Sequence, residues 1–176
     1  PSNLGYGWAK RVGELQAKMH AKEFGMKVSI IRPMNAYGPR DDFDPETSHV
    51  IPALIRKIIN AKTEVSIWGS GNQTRAFVYV DDVARGMLMT LEKLTIPDPI
   101  NIGTNEEIKI KDLVSTIVDI TERDDLQIKY DTTKPEGQLR KTADTKKAEK
   151  LIQYKPKYSL EEGLKHTIDW YRSSIN

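Results

Sequence analysis

The chain has 176 residues, of which 38% are hydrophobic and 30% charged, and its formal net charge of +2 argues against a nucleic-acid or membrane-surface partner. No apolar run approaches the roughly 20 residues that span a bilayer. The absence of cysteine excludes disulfides, a thiolate nucleophile and cysteine metal sites, and three widely spaced histidines do not predict a metal centre.

Helices and strands alternate along the whole sequence, which predicts an α/β protein. In chain order the predicted elements are a helix over 3–24, a strand over 28–32, an irregular loop over 35–48, a helix over 49–61, strands over 64–69 and 75–80, a helix ending near 94, strands over 99–103 and 107–110, a helix over 111–121, a strand over 127–131, a basic loop over 134–141, and helices over 145–152 and 160–171.

Local signals set several of these boundaries. Gly25 is a natural helix stop, and the apolar run at 28–32, closed by Pro33, predicts a short buried parallel strand. Asp81 or Asp82 is expected to cap the helix that follows the strand over 75–80.

Two further signals concern a turn and a helix start. The Gly-Ser-Gly-Asn stretch at 69–72 is expected to form a hairpin-like turn between the strands on either side of it. The sequence Ser-Leu-Glu-Glu at 159–162 predicts a capping box for the last helix.

A soft domain boundary is expected near residue 40. Residues 1–40 contain a helix and a parallel strand that need more sheet than this chain supplies, whereas 41–176 form a mixed set of smaller elements suited to a substrate-binding lobe. Segments within roughly 75–103 are candidates to return to the first domain. A Gly-x-Gly-x-x-Gly phosphate loop is absent from the sequence, so the pyrophosphate site of any nicotinamide cofactor is expected outside it.

The pair Tyr6 and Lys10 is the most informative motif. On a helix, residues four apart share a face, and an ammonium beside a phenol favours the phenolate. A tyrosine placed in this way can pass a proton to or from a carbonyl or hydroxyl oxygen. The same spacing recurs at Tyr130 and Lys134, where the following Pro135 disfavours a helix. The spacing alone therefore does not establish a role in proton transfer.

Other candidate residues follow predicted strands or lie in basic loops. Residues 32–39 lie at the carboxyl end of the first strand, where open α/β sheets bind ligands. His49 begins a helix that carries Arg56 and Lys57, while Trp68 and Arg75 flank the Gly-Ser-Gly turn. Cations converging from several loops suit a diphosphate, and a planar indole suits a base or ribose.

Structural alternatives stay open for three of these residues. His49 is also suited to capping a helix or lying on the surface, and Trp68 to packing in the core. Arg75 is equally suited to a structural ion pair with Asp81 or Asp82.

These motifs resemble the extended short-chain dehydrogenase/reductases, in their nucleotide-sugar epimerase and dehydratase group. The similarity covers nearly the whole chain, from Tyr-x-x-x-Lys at 6–10 through Arg-x-Phe-x-Tyr-Val-Asp-Asp at 75–82 to Glu-Gly-Leu at 162–164. Within the group the chain is most similar to the GDP-L-fucose synthase family. That narrower similarity rests on Gly-Pro-Arg-Asp-Asp-Phe at 38–43 leading into Ser-His-Val-Ile-Pro-Ala-Leu at 48–54, on Trp-Gly-Ser-Gly at 68–71, and on Lys-Pro-Glu-Gly at 134–137 with Arg-Lys-Thr-Ala-Asp at 140–144.

The resemblance implies a fold and a reaction. The fold would be the C-terminal part of a Rossmann-type parallel-sheet domain plus a smaller mixed α/β substrate-binding lobe. The intact enzyme would use NADP or NAD, with NADPH favoured, to epimerise C3 and C5 of GDP-4-keto-6-deoxymannose and then reduce C4. It would be a cytoplasmic homodimer, with the helix of Tyr6 at the dimer interface.

The resemblance also assigns roles to residues. Tyr6 would donate a proton to the C4 oxygen, Lys10 would assist it and hold the nicotinamide ribose, and His49 would be an acid in the epimerisation. The remaining assignments are cofactor contacts at Tyr6, Lys10, Pro33, Met34, Asn35, Ala36 and His49 and substrate contacts at Asn35, Lys57, Trp68, Arg75 and Glu136. Glu136 stands where the family has an aspartate and Lys57 where it often has an arginine, so the affinity for the nucleotide is expected to differ.

Part of the family's active site lies before its tyrosine, namely a serine and a cysteine that acts as the epimerisation base. The chain is therefore expected to be truncated at its N-terminus and inactive alone. The alternatives are another enzyme of the group, such as a UDP-sugar 4-epimerase, a 4,6-dehydratase or a 4-ketoreductase, and a sugar-nucleotide-binding fragment without activity.

Overall fold

A computed structural model describes residues 4–175 and the side chains of residues 5–175. Its elements, in chain order, are α1 (Leu4–Phe24), β1 (Ile31–Pro33), β2 (Ala36–Tyr37), α2 (Val50–Asn60), β3 (Glu64–Trp68), β4 (Thr74–Arg75), β5 (Val78–Tyr79), α3 (Val80–Lys93), β6 (Ile100–Ile102), β7 (Ile108–Lys109), α4 (Ile110–Thr121), β8 (Gln127–Asp131), β9 (Arg140–Lys141), α5 (Lys146–Ile152) and α6 (Leu160–Ile175). None of the helices in this part of the chain combines the length and apolar character that crossing a membrane requires.

The strands pair mostly in parallel, which confirms the predicted α/β class. β1 pairs with β6, β2 with β5, and β3 with β8, all in parallel. β4 pairs antiparallel with β7 and parallel with β9. Parallel pairs need crossover connections; α2 lies between β2 and β5 in the sequence, and α3 and α4 lie between β3 and β8.

The chain changes its pairing partner at Asn35. Before it, β1 bonds to β6, and the Met34 amide still donates to the Ile102 carbonyl at 2.9 Å. After it, β2 bonds to β5, and the Asn35 carbonyl accepts from the Val78 amide at 3.3 Å. Asn35 has φ 43°, a left-handed conformation that asparagine tolerates better than most residues. The change of partner separates the two pairs at the carboxyl end of β1.

Two apolar clusters hold these elements together. The larger joins the inner faces of α2, α4 and α6, and its most buried members are Ile51, Ile55, Ile58, Leu113, Ile117, Leu164 and Ile168. The smaller packs α5 against β6 and the end of α3, through Leu94, Ile100, Ile102, Ala148, Ile152 and Tyr154. Because α2 belongs to the larger cluster, its first turn has a fixed position relative to β2.

Two local predictions about strands were wrong. The strands on either side of the Gly-Ser-Gly turn do not form a hairpin, because β3 finds its partner in β8, about sixty residues further along the chain. The strand predicted over 28–32 is shorter, begins at Ile31, and is only half-buried to exposed rather than buried. Turn residues and apolar runs indicate only the local conformation. Which strand β3 pairs with, and how far β1 is buried, depend on segments that are distant in the sequence.

The prediction that Asp81 or Asp82 caps α3 was also wrong. The helix starts after Tyr79, with no side-chain cap found in the described chain. Asp82 is 1% exposed, and its carboxylate accepts hydrogen bonds from the backbone amides of Lys157 and Tyr158 at 2.9–3.0 Å and pairs with Arg85. Asp82 therefore ties the segment before α6 to α3.

The helix boundaries were predicted well. Gly25 has φ 65° after the last residue of α1, and the capping box at α6 is confirmed, since the Glu162 carboxylate accepts from the Ser159 amide at 2.8 Å and Ser159 Oγ accepts from the Glu162 amide at 3.2 Å. The apolar residues of α1, among them Val12, Leu15 and Met19, stay exposed. The expected boundary near residue 40 stays a prediction.

Replacing Asp82 by alanine is expected to lower the free energy of unfolding by about 3 kcal/mol, because two backbone amides and Arg85 lose a buried acceptor. The matched control is Asp81→Ala, which removes an exposed carboxylate from the same helical turn and should cost about 1 kcal/mol or less. Urea denaturation followed by circular dichroism measures both, and equal losses would contradict the anchoring role of Asp82.

Candidate active site

Two neighbouring cavities contain nearly all of the candidate residues. The first, here called the Tyr6 cavity, has a volume of about 650 Å³ and is lined by Tyr6, by residues 33–37 and by the start of α2. The second, the Trp68 cavity, has a volume of about 350 Å³ and lies between α2 and the turn after β3. Ser48, His49, Val50 and Arg75 line both cavities, so the two are adjacent, and together they are called the cleft below.

The change of strand partner at Asn35 produces the wall of the Tyr6 cavity. Residues Pro33, Met34, Asn35 and Ala36, which the resemblance assigned to the cofactor, all line this cavity. The Asn35 amide donates to the Ala76 carbonyl at 2.7 Å, which fixes the backbone at the point where β1 and β2 separate.

Tyr6 and Lys10 lie on one face of α1, as predicted. Tyr6 lines the cavity and is 67% exposed, while the ammonium of Lys10 lies 5.3 Å from the centre of the Tyr6 ring. Lys10 is not among the residues that line either cavity. The lysine is thus placed to act on the phenol, and its contact with the nicotinamide ribose stays a prediction.

His49 lies where the two cavities meet. It is the residue before the first turn of α2, its side chain is 81% exposed, and its Nδ1 lies 3.8 Å from Asp41 Oδ1. Its imidazole makes no capping hydrogen bond to the helix among the described residues. Of the alternatives considered for it, side-chain capping is therefore excluded.

The Trp68 cavity is rich in cations. Arg56, Lys57 and Arg75 line it, and none of them has a carboxylate partner among residues 4–175. Burial lowers the pKa of Lys57, with a further contribution from the nearby Arg56 guanidinium, and burial also lowers the pKa of Arg75. These shifts mean that the positive charges are poorly solvated, so a bound anion would stabilise them.

The structural alternatives considered for Trp68 and Arg75 do not match their surroundings. Trp68 is 57% exposed, which excludes core packing, and the ammonium groups of Lys57 and Lys134 lie 5.7 and 6.0 Å from its ring centre. Arg75 donates to the Thr74 carbonyl at 2.8 Å and forms no ion pair with Asp81 or Asp82. An exposed indole beside cations is a suitable surface for a base or ribose attached to phosphate.

Glu136 enters the Trp68 cavity from the loop before β9. Its carboxylate accepts a hydrogen bond from the Ser70 amide at 2.5 Å, and hydrogen bonds from Ser70 lower the pKa of Glu136. Gly69 makes this approach possible, because a Cβ there would lie 2.5 Å from Glu136 Cγ and its φ of 80° disfavours other residues. An ionised carboxylate in this cavity is best suited to accept from hydroxyl or N–H groups of a ligand.

Several lining residues were assigned no role from the sequence. Gln73 and Arg56 line the Trp68 cavity, and each has one buried polar atom without a partner in the described chain, Gln73 Oε1 and Arg56 Nε. Lys141 and Phe77 line the Tyr6 cavity. Arg56 was detectable from its position next to Lys57 on the same helix, whereas Gln73 carries no pattern that separates it from a surface glutamine.

The chain is similar to known proteins over almost its whole length. The sequence profile of the NAD dependent epimerase/dehydratase family matches residues 1–103. GDP-L-fucose synthase 1 of Arabidopsis thaliana is 35% identical over 179 positions, which cover 99% of this chain and 55% of that protein. A dTDP-4-dehydro-6-deoxy-D-allose reductase of Streptomyces sp is 36% identical over 168 positions, covering 96% and 50%.

A solved structure gives the same result for the fold. The crystal structure of a GDP-L-fucose synthetase from Naegleria fowleri bound to NADP superposes with a TM-score of 0.90 at 29% identity, covering 99% of this chain and 57% of that one. The chain spans about half the length of the curated relatives it matches.

The cation cluster predicts that inorganic pyrophosphate binds in the Trp68 cavity. Lys57→Ala and Arg75→Ala should each weaken this binding about tenfold, since each removes a charge that burial leaves poorly solvated. Isothermal titration calorimetry at constant ionic strength measures the affinity. Lys129→Ala is the control, because Lys129 pairs with Glu64 outside the cavity, and an equal loss in that variant would show that only net charge matters.

Proposed function

Since the chain belongs to the NAD dependent epimerase/dehydratase family, we propose that its protein is an NAD(P)-dependent epimerase/reductase that acts on a nucleotide sugar. The observation that carries this proposal is the pair of adjacent cavities. One holds a tyrosine and a histidine suited to proton transfer, and the other holds three cations without a carboxylate partner among residues 4–175, beside an exposed indole. His49 and Arg75 line both cavities.

A nucleotide sugar matches this arrangement group by group. Its diphosphate would lie against Lys57 and Arg75, its base or ribose on Trp68, and ribose hydroxyls or base N–H groups would donate to Glu136. The sugar would then extend past His49 and Asn35 into the Tyr6 cavity. Arginine can grip phosphate through two parallel hydrogen bonds, whereas Lys57 acts as a point charge.

The residues of the Tyr6 cavity supply the proton transfers. Tyr6 donates its phenolic proton to the C4 oxygen while that carbon is reduced, and Lys10 stabilises the resulting phenolate. His49 donates a proton in the epimerisation at C3 and C5, whose hydrogens are acidic because they lie next to the C4 ketone. The base that removes those hydrogens would be the cysteine that the resemblance places before Tyr6. One donor can serve both carbons because both are adjacent to that ketone.

The residues present fit the nicotinamide end of the cofactor. Pro33, Met34 and Ala36 form a mainly apolar wall, and the Asn35 side chain is held by the Ala76 carbonyl, which leaves a defined surface for a flat ring. When bound, the cofactor would supply the hydride. The 176 residues contain no Gly-x-Gly-x-x-Gly sequence, so the residues that hold its pyrophosphate are not provided by this segment.

The finer proposal is a GDP-L-fucose synthase, which converts GDP-4-keto-6-deoxymannose to GDP-L-fucose. It is supported by the similarity to the plant enzyme over 99% of the chain and by the histidine at the start of α2. A 4-ketoreductase acting on a dTDP-sugar is the second candidate, favoured by the 36% identity to the Streptomyces reductase. Both candidates reduce a C4 ketone, and they differ in the nucleotide and in the need for an epimerisation acid.

A homodimer is proposed as well. The exposed apolar residues Val12, Leu15 and Met19 occupy one stripe of α1, and such a stripe on a helix is commonly covered by another surface.

Two substitutions in the whole protein separate the proposed steps. Tyr6→Phe should lower the rate of NADPH-dependent reduction of GDP-4-keto-6-deoxymannose by about a hundredfold or more, because the C4 oxygen loses its proton donor, while the KM changes little. His49→Gln should instead suppress the incorporation of deuterium from D₂O at C3 and C5.

The matched control for Tyr6 is Tyr130→Phe, which alters the other tyrosine that precedes a lysine by four residues but lies on β8. Its reduction rate should stay at the wild-type value. Undiminished reduction by Tyr6→Phe would refute the proposed role of Tyr6, and rapid reduction of a dTDP-4-keto sugar without any deuterium incorporation would favour the second candidate.

The isolated 176-residue chain is expected to show no NADPH oxidation with this substrate, since it lacks a phosphate loop for the cofactor. Stopped-flow absorbance at 340 nm, read against the whole protein as the positive control, tests this. Turnover by the isolated chain would show that the loop is dispensable.

A further inference from the structure

Asp41 has a carboxylate that no part of the proposed function uses. Its side chain is 18% exposed, and its Oδ2 is buried without a hydrogen-bond partner among the described residues. A buried carboxylate oxygen left unpaired is unfavourable and uncommon in folded proteins, so its surroundings call for a functional explanation.

The position of Asp41 is fixed by its own loop. The Asp41 amide donates to the Gly38 carbonyl at 3.3 Å, and Asp41 Oδ1 accepts from the Asp42 amide at 2.8 Å. The preceding Arg40 has φ 68°, which turns the chain sharply at this point. The carboxylate therefore has little freedom to move.

The side chain that meets this carboxylate is His49. Its Nδ1 lies 3.8 Å from Asp41 Oδ1, and within residues 4–175 no other side chain comes within ion-pair distance of Asp41. The imidazole is largely exposed, so a small rotation brings Nδ1 within hydrogen-bond distance while the carboxylate stays in place. Contact through Nδ1 leaves Nε2 directed away from Asp41.

Other charged groups near this pair do not replace Asp41. The Asp42 carboxylate accepts from the Asp44 amide at 2.9 Å and from the Thr47 hydroxyl at 2.5 Å, so it serves the loop. Glu46, Lys57 and Arg75 line the same cavity as His49, but none of them pairs with the imidazole in the described structure.

We propose that Asp41 is the positioning residue of His49: it accepts a hydrogen bond from Nδ1–H, which fixes the tautomer and the ring orientation, so that Nε2 faces the sugar in the cleft. The proposal rests on the proposed function for the role of His49 as an acid. The logic is that of a carboxylate that orients a catalytic imidazole from behind. No bond is formed or broken at Asp41, and the proton that is transferred is the one on Nε2.

The first test needs no substrate. Nitrogen-15 spectra of the histidine side chains report which ring nitrogen carries the proton in the neutral form. Asp41→Asn should shift the His49 tautomer populations, since the amide that replaces the carboxylate is a weaker acceptor, while His20 and His166 stay unchanged. An unchanged His49 tautomer would overturn the proposal.

The second test separates positioning from general damage, in the whole protein with GDP-4-keto-6-deoxymannose. Asp41→Asn should lower the rate of deuterium incorporation at C3 and C5 by about tenfold or more, because a misoriented imidazole transfers protons poorly. The KM, and the rate of C4 reduction of a substrate that is already epimerised at C3 and C5, should stay within about twofold of the wild type, since Tyr6 is not affected. Asp41→Glu, which keeps a carboxylate, should recover part of the lost rate.

Asp42→Asn is the matched control, with the same change one residue along the loop, and should leave the deuterium incorporation rate unchanged. Equal losses of exchange, reduction and binding in Asp41→Asn would identify a structural role and overturn the proposal, as would a normal exchange rate. The His49→Gln variant tests the proposed function separately: if that variant exchanges normally, His49 is not the acid and the positioning role falls with it.

Discussion

The change of strand partner at Asn35 is the constraint on which the candidate site depends. A straight continuation of β1 into β2 would keep one hydrogen-bonding partner, and no opening would form at the carboxyl end of the strand. The left-handed turn at Asn35 transfers the chain from β6 to β5, and the Asn35 side chain anchors the turn to Ala76. Open α/β sheets bind ligands at such separations, because strand ends there leave backbone and side chains facing a crevice.

The second requirement is the fixed position of α2. Its apolar face belongs to the larger core cluster, so the residues before and within its first two turns are carried to defined places above the crevice. His49 lies at the junction of the two cavities, and Arg56 and Lys57 reach the Trp68 cavity two turns later. Packing that stabilises the helix thereby also sets the distance between the proton-transfer end and the cation-rich end of the cleft.

The electrostatics of the cleft have a cost in the unliganded protein. Lys57 and Arg75 are partly buried without a carboxylate partner in the described chain, and burial lowers the pKa of each. The carboxylate of Glu136 does not neutralise them, because it is held by Ser70. An anionic ligand with hydrogen-bond acceptors would stabilise these poorly solvated charges. The binding of such a ligand is favoured for that reason.

The sequence by itself determined the helices, the capping box at Ser159, the α/β class and the Tyr6–Lys10 pair, because each depends on residues close together in the chain. The same holds for the cations near Trp68, which short motifs identified. Only the tertiary structure decided that β3 pairs with β8, that Asp82 holds the segment before α6, and that Gln73 and Arg56 line the cleft. These features are contacts between segments that are distant in the sequence. Such contacts are set by the packing of α2, α4 and α6 against one another, which no local sequence pattern shows.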